Sequence, residues 1–126
     1  MPTHDTVWFT PPAPLVQVRL RNWETGTEVT EVPMLLNTGA DVSLVPRSCV
    51  TTLGLALDPQ RRYELVRFDD TVSTAPVVQL ELHLLGRRFR GQFLLIEQEW
   101  GILGRNILNQ IAILLDGPRQ VWDLHR

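Results

Sequence analysis

The sequence predicts an all-β fold, and three observations carry that prediction. Apolar and polar residues alternate over short stretches, as where Val16, Val18 and Leu20 interleave with Gln17, Arg19 and Arg21; this is the period of a half-buried strand. Turn-forming clusters separate the stretches, at Asn22–Gly26, Asp69–Thr71, Gly86-Arg87 and Gly117-Pro118, as expected of strand connections. Only two windows read as helix, and both are short. Many strands at close spacing with little helix mean an all-β domain.

Taken in order, residues 1–13 form a proline-rich arm with Pro11 and Pro12, extended or partly an edge strand, because proline donates nothing to a ladder. Trp8 and Phe9 in that arm are expected to dock on the domain or on a partner subunit. Residues 14–126 form the domain. Leu15 to Arg21 is its first strand and Thr27 to Leu36 its second, with Glu24-Thr25-Gly26 in the turn between them. Val45 to Gly54 is a short helix, with Pro46 in its first turn and Gly54 at its C-terminal end. Tyr63 to Phe68 and Ser73 to Leu85 make a hairpin, and Phe89 to Ile96 returns beside it. A second short helix covers Arg105 to Gln110, and Ala112–Asp116 with Gln120–Leu124 closes the chain as a hairpin.

At 126 residues and 44% hydrophobic content, one domain with a real core is expected. A net charge of −2 argues against partners such as nucleic acid or an anionic membrane. The pairs Arg61-Arg62 and Arg87-Arg88 read as solvated strand ends or turns. Cys49, the single cysteine, allows no internal disulfide and no cysteine-rich metal site; it reads as helix packing. His4, His83 and His125 are scattered, and no cluster has metal-ligand spacing, so neither a metal nor a cofactor is expected. His83, inside an alternating stretch, is expected at a surface or edge position. No run is long enough to span a membrane and the N-terminus lacks a signal-peptide pattern, so the expected location is cytoplasmic.

The chain is organised around Leu35-Leu36-Asn37-Thr38-Gly39-Ala40-Asp41-Val42-Ser43-Leu44-Val45-Pro46. A buried strand stops at a tight polar turn and the apolar pattern then resumes, which fixes the turn residues on a scaffold. This stretch resembles the active-site motif of the retropepsin-like aspartic proteases, Leu-Leu-Asp-Thr-Gly-Ala-Asp, with Asn37 where the family has its catalytic aspartate. Downstream, Gly101-Ile102-Leu103-Gly104-Arg105-Asn106-Ile107-Leu108 resembles the family's hydrophobic-hydrophobic-Gly-Arg-Asp/Asn segment, which packs behind the catalytic loop. The resemblance covers roughly Pro14 to Asp123.

The resemblance implies a retropepsin-like acid-protease barrel with one or two short helices, forming one half of a C2 homodimer, because the chain holds a single motif. Val121 and Trp122 of the closing hairpin are expected to be buried across that dimer. Asn37, Thr38 and Gly39 form the catalytic loop. Ala40, Asp41, Leu44, Phe68, Asp69, Trp100 and Ile102 fall where the family binds its peptide or protein substrate. Phe68 and Asp69 sit at the tip of the hairpin that serves the family as a flap. Asp41 and Arg105 are expected to form an ion pair beneath the loop. Catalysis in the family needs two carboxylates sharing one proton, which activate a water. An amide cannot take a proton from water at neutral pH, so the chain as written is expected to be inactive. The preferred reading is an aspartic endopeptidase carrying Asp→Asn at position 37, because the rest of the motif is kept. The alternative is a natural pseudoprotease, a non-catalytic module for peptide binding or dimerisation.

Overall fold

Alternation along β2 (Ala13–Arg21) sorts its side chains: Val16, Val18 and Leu20 are at most 2% exposed, while Gln17 and Arg19 face outward. The computed structural model describes residues 2–66, 70 and 72–125. The remaining strands are β1 (His4–Asp5), β3 (Glu28–Leu36), β4 (Leu44–Pro46), β5 (Asp58–Val66), β6 (Val72–Leu84), β7 (Arg87–Ile96), β8 (Gly101–Leu103), β9 (Ile113–Asp116) and β10 (Val121–Leu124). Two short helices, α1 (Arg47–Leu53) and α2 (Arg105–Leu108), complete the chain.

Strands β2, β3, β8, β4, β7 and β6 follow one another in a sheet that closes on itself through β2–β6, a six-stranded barrel. β1 flanks β2, and β5 extends the sheet beyond β6. β3–β8 and β4–β7 are parallel, whereas β4–β8 is antiparallel. β9 and β10 form a separate hairpin. Leu20, Leu80, Leu82, Leu84 and Met34 are fully buried and fill the core, which α1 covers with Val50 and Leu53 and α2 with Ile107 and Leu108. α1 stops where sequence chemistry says it should: Gly54 takes the left-handed conformation at φ 66°, its N–H bonding back to Val50 and Thr51, a geometry that favours glycine. Cys49 lies half-buried against the core, and that burial pushes its thiol pKa above the ordinary value.

Four expectations change. Trp122 is fully buried within its own chain, its indole Nε1 donating to the Leu15 carbonyl at 3.1 Å, so it belongs to the core and not to a subunit interface. The exposed apolar residues of the closing hairpin are Leu114 and Leu115 of β9, at 58% and 55%. His83 keeps its expected outward position, half-buried between Arg19 of β2 and Arg88 of β7, but on an interior strand and not an edge, because β6 runs on to close the barrel. Leu85 leaves the strand and enters the β6–β7 turn with Gly86, at φ 46° and 83°. The second helix ends at Leu108, earlier than Gln110. The N-terminal residues are stitched to the closing hairpin: Thr3 bridges Val121, His4 N donates to the Gln120 carbonyl at 2.8 Å, and Trp122 N donates to the Pro2 carbonyl at 3.0 Å. No helix among the described residues is long and apolar enough to cross a membrane.

Candidate active site

The two sequence motifs meet because β3 and β8 run parallel in register, Met34 beside Gly101, Leu35 beside Ile102 and Leu36 beside Leu103. Both strands therefore end level, and Asn37 follows one as Gly104 follows the other. Asn37 N donates to the Leu103 carbonyl at 3.0 Å. The tight turn closes when Ala40 N donates to the Asn37 carbonyl at 3.2 Å. Within it, Gly39 N donates to Asn37 Oδ1 at 2.9 Å. The loop's own backbone thus holds the side-chain oxygen of residue 37. A carboxylate there would accept the same bond, and more strongly.

Chain crossing explains both glycines of the second motif. A Cβ on Gly104 would lie 2.1 Å from the Val42 carbonyl oxygen, and one on Gly101 would lie 2.5 Å from that of Leu44. Only glycine lets the backbones pass so closely. Two further ties lock the crossing. Arg105 N donates to the Ala40 carbonyl at 2.7 Å. The Ser43 hydroxyl, fully buried, accepts from Gly104 N at 2.9 Å and donates to Asn106 Oδ1 at 2.7 Å. The sequence places Ser43 within the motif, and the structure adds its role as the buried link between the two motifs.

The expected Asp41–Arg105 ion pair is not among those formed between the described residues. Arg105 Nη1 instead donates to the Thr38 carbonyl at 2.8 Å. The tight turn aims that carbonyl at the guanidinium, which gains a partner without a second charge being stripped of water. Asp41 lies exposed at the end of the turn. Thr38 and Gly39 are exposed in the single chain, and Asn37 and Ala40 are half-buried.

Register also builds an apolar band across the barrel on the face opposite the main core. Leu15 pairs with Leu35, Leu35 with Ile102, Ile102 with Leu44, Leu44 with Leu94, and Leu94 with Val77. Directly paired residues share a face. Val77, Leu94, Val42 and Leu44 form an apolar cluster of their own, apart from the main core, while Leu35 and Ile102 remain half-exposed. Trp100, two residues before Ile102, meets the ring of Phe9 edge-on at 4.8 Å between centroids, so the N-terminal arm reaches this wall. Phe68 and Asp69 lie outside the described residues.

No protein-family model and no curated protein matches the chain. Among solved structures, the EIAV protease complexed with the inhibitor HBY-793 superimposes with a TM-score of 0.55 at 20% sequence identity, over 84% of this chain and 91% of that one. The likeness is one of fold: this chain is an all-β, retropepsin-like barrel.

Proposed function

We propose that this chain is one half of a two-fold symmetric aspartic peptidase site, with Asn37 standing where the catalytic aspartate acts. The observation that carries the reading is the bond from Gly39 N to the side-chain oxygen of residue 37, at 2.9 Å, in a loop held by crossing glycine-bearing strands. That loop fixes a carboxylate-shaped group at a rigid, half-exposed position. Two such loops facing each other across a C2 axis would bring two residues 37 together. Two aspartates there would share one proton, supplying general acid and general base to a water attacking a peptide carbonyl. Asparagines leave no base. Among the described residues β9 pairs with β10 alone, and its exposed Leu114 and Leu115 support a second copy as the partner. The apolar band from Leu35 through Ile102 to Leu44 supports an extended peptide with apolar side chains as the substrate.

Asn37→Asp decides the matter. It is expected to yield a peptidase with an acid-shifted optimum, blocked by pepstatin or a viral-protease inhibitor, while the chain as written stays inert. The amide of Asn37, its Oδ1 accepting from Gly39 N at 2.9 Å, favours a second reading, a peptide-binding module without catalysis. If Asn37→Asp cleaves nothing in a diverse peptide library from about pH 3 to 7, the range where paired carboxylates titrate, that second reading stands.

A further inference from the structure

We propose that His83 is a proton-operated latch across the seam where the barrel closes. That seam is short: β2 meets β6 through three residue pairs, Arg19 with His83, Leu20 with Leu82 and Arg21 with Glu81. Leu20 and Leu82 point into the core and are fully buried. The outer side of the seam therefore depends on the charged pairs.

Their geometry assigns the imidazole protons. Arg19 Nη2 lies 2.9 Å from His83 Nδ1. A guanidinium can only donate, so Nδ1 is a bare acceptor. The ring proton is then on Nε2, which donates to Glu81 Oε1 at 2.6 Å. A neutral His83 thus bridges an arginine of β2 to a carboxylate of β6. Glu81 is well anchored at the other end. Its side chain is 4% exposed, and Arg90 of β7 grips Oε2 at 3.0 Å while stacking over Trp23 at 4.7 Å. The His83 hydrogen bond and then Arg90 hold the Glu81 carboxyl below the ordinary glutamate range, so it stays ionised where imidazoles ordinarily titrate.

A second proton on the ring has one place to go, Nδ1, which faces the guanidinium. The Arg19 bond then becomes a repulsion, and Arg88 of β7, opposite His83 in register, adds to it. The Glu81 contact strengthens into an ion pair. Arg19 has an alternative partner ready, since its Nε already lies 3.7 Å from Glu28 of β3; Glu31, in the same groove, offers a second acidic group. Protonation thus moves Arg19 from β6 to β3. The longer Arg21–Glu81 contact, at 3.7 Å, is left as the charged tie across the seam. β7 holds the other edge of β6 along this whole stretch, so loosening the seam opens the barrel between β2 and β6 alone. None of this depends on the identity of residue 37.

The test is made on the chain as it stands, by NMR. Imidazole ¹⁵N spectra at about pH 8 are expected to show His83 with its proton on Nε2 and a bare Nδ1. Amide-exchange protection at residues 19–21 and 81–83 is expected to fall about tenfold between about pH 8 and pH 5.5, the scale of one lost charge-assisted hydrogen bond. The fall should vanish in both His83→Gln and Arg19→Gln, and persist in His125→Gln. A proton on Nδ1 at pH 8, protection unchanged by pH, or a response that survives in His83→Gln would each overturn the latch. Should His83→Gln fail to fold, the unsubstituted chain's tautomer and exchange profile still decide.

Discussion

Gly104 is the residue whose chemistry is least replaceable, and the reason is steric. A methyl there meets the backbone oxygen of Val42 at 2.1 Å, and backbone cannot step aside as a flexible side chain can. Gly104→Ala is therefore expected to cost at least about 1–3 kcal/mol, the range for overpacking, and to distort the loop at Asn37. Gly117→Ala, where a Cβ meets nothing within 4 Å, should leave the melting temperature unchanged; equal losses in the two would refute the steric account. Arg105 is held by a neutral carbonyl and is exposed. Arg105→Ala should then cost about 1 kcal/mol, as for one hydrogen bond, well short of the roughly 3–5 kcal/mol that a stranded buried charge would. Chemical denaturation of Arg105→Ala beside Arg87→Ala measures that difference.

At the scale of elements, β6 and its turn are where sequence and geometry pull apart. Leu85 sits at φ 46° in a two-residue hairpin turn beside Gly86 at φ 83°. Such turns favour asparagine or glycine, because a leucine side chain crowds its own backbone there. Leu85→Asn is expected to raise stability by about 0.5–1 kcal/mol, seen as a melting temperature higher by a few degrees. Glu81, further along the strand, governs the acid limb. Its folded pKa is lowered, by the His83 hydrogen bond first and Arg90 next, from an ordinary value of 4.5. The stability it contributes is therefore full above that value and is lost as pH falls through the lower, folded pKa. Urea midpoints followed from about pH 5 to 2.5 should decline less steeply in Glu81→Gln. An unchanged slope would mean that other carboxyls set the acid limit.

For the whole molecule, the question is which apolar surface belongs to one chain and which to two. Trp122 belongs to one: it is fully buried and bonded to the Leu15 carbonyl. Trp122→Ala should cost about 3–5 kcal/mol, as large core truncations do, at any protein concentration. Leu114 and Leu115 are more than half exposed on β9, which among the described residues pairs with β10 alone, and bare edges invite pairing. For the dimer proposed above, Leu115→Asp is expected to leave the fold intact and shift sedimentation from dimer to monomer. A dimer that survives the charge would show that the exposed leucines of β9 are not what holds the copies together.

What could be read from the residues alone is what local physics controls. Alternation marked β2 and the His83 stretch of β6, because the side-chain period belongs to the strand alone. Gly54 marked the end of α1, because the left-handed conformation is a single residue's property. The two motifs announced the loop at Asn37, because their glycines and small residues had to be there for chains to cross. The partners of individual side chains came only with the closed barrel. Whether Arg105 meets Asp41 or the Thr38 carbonyl depends on where a turn aims one oxygen. The side of the molecule that Trp122 faces, and the company His83 keeps, depend on which strands close the ring. Those contacts join residues 64 and 107 positions apart. Register sets them, and register exists only once the whole barrel has formed.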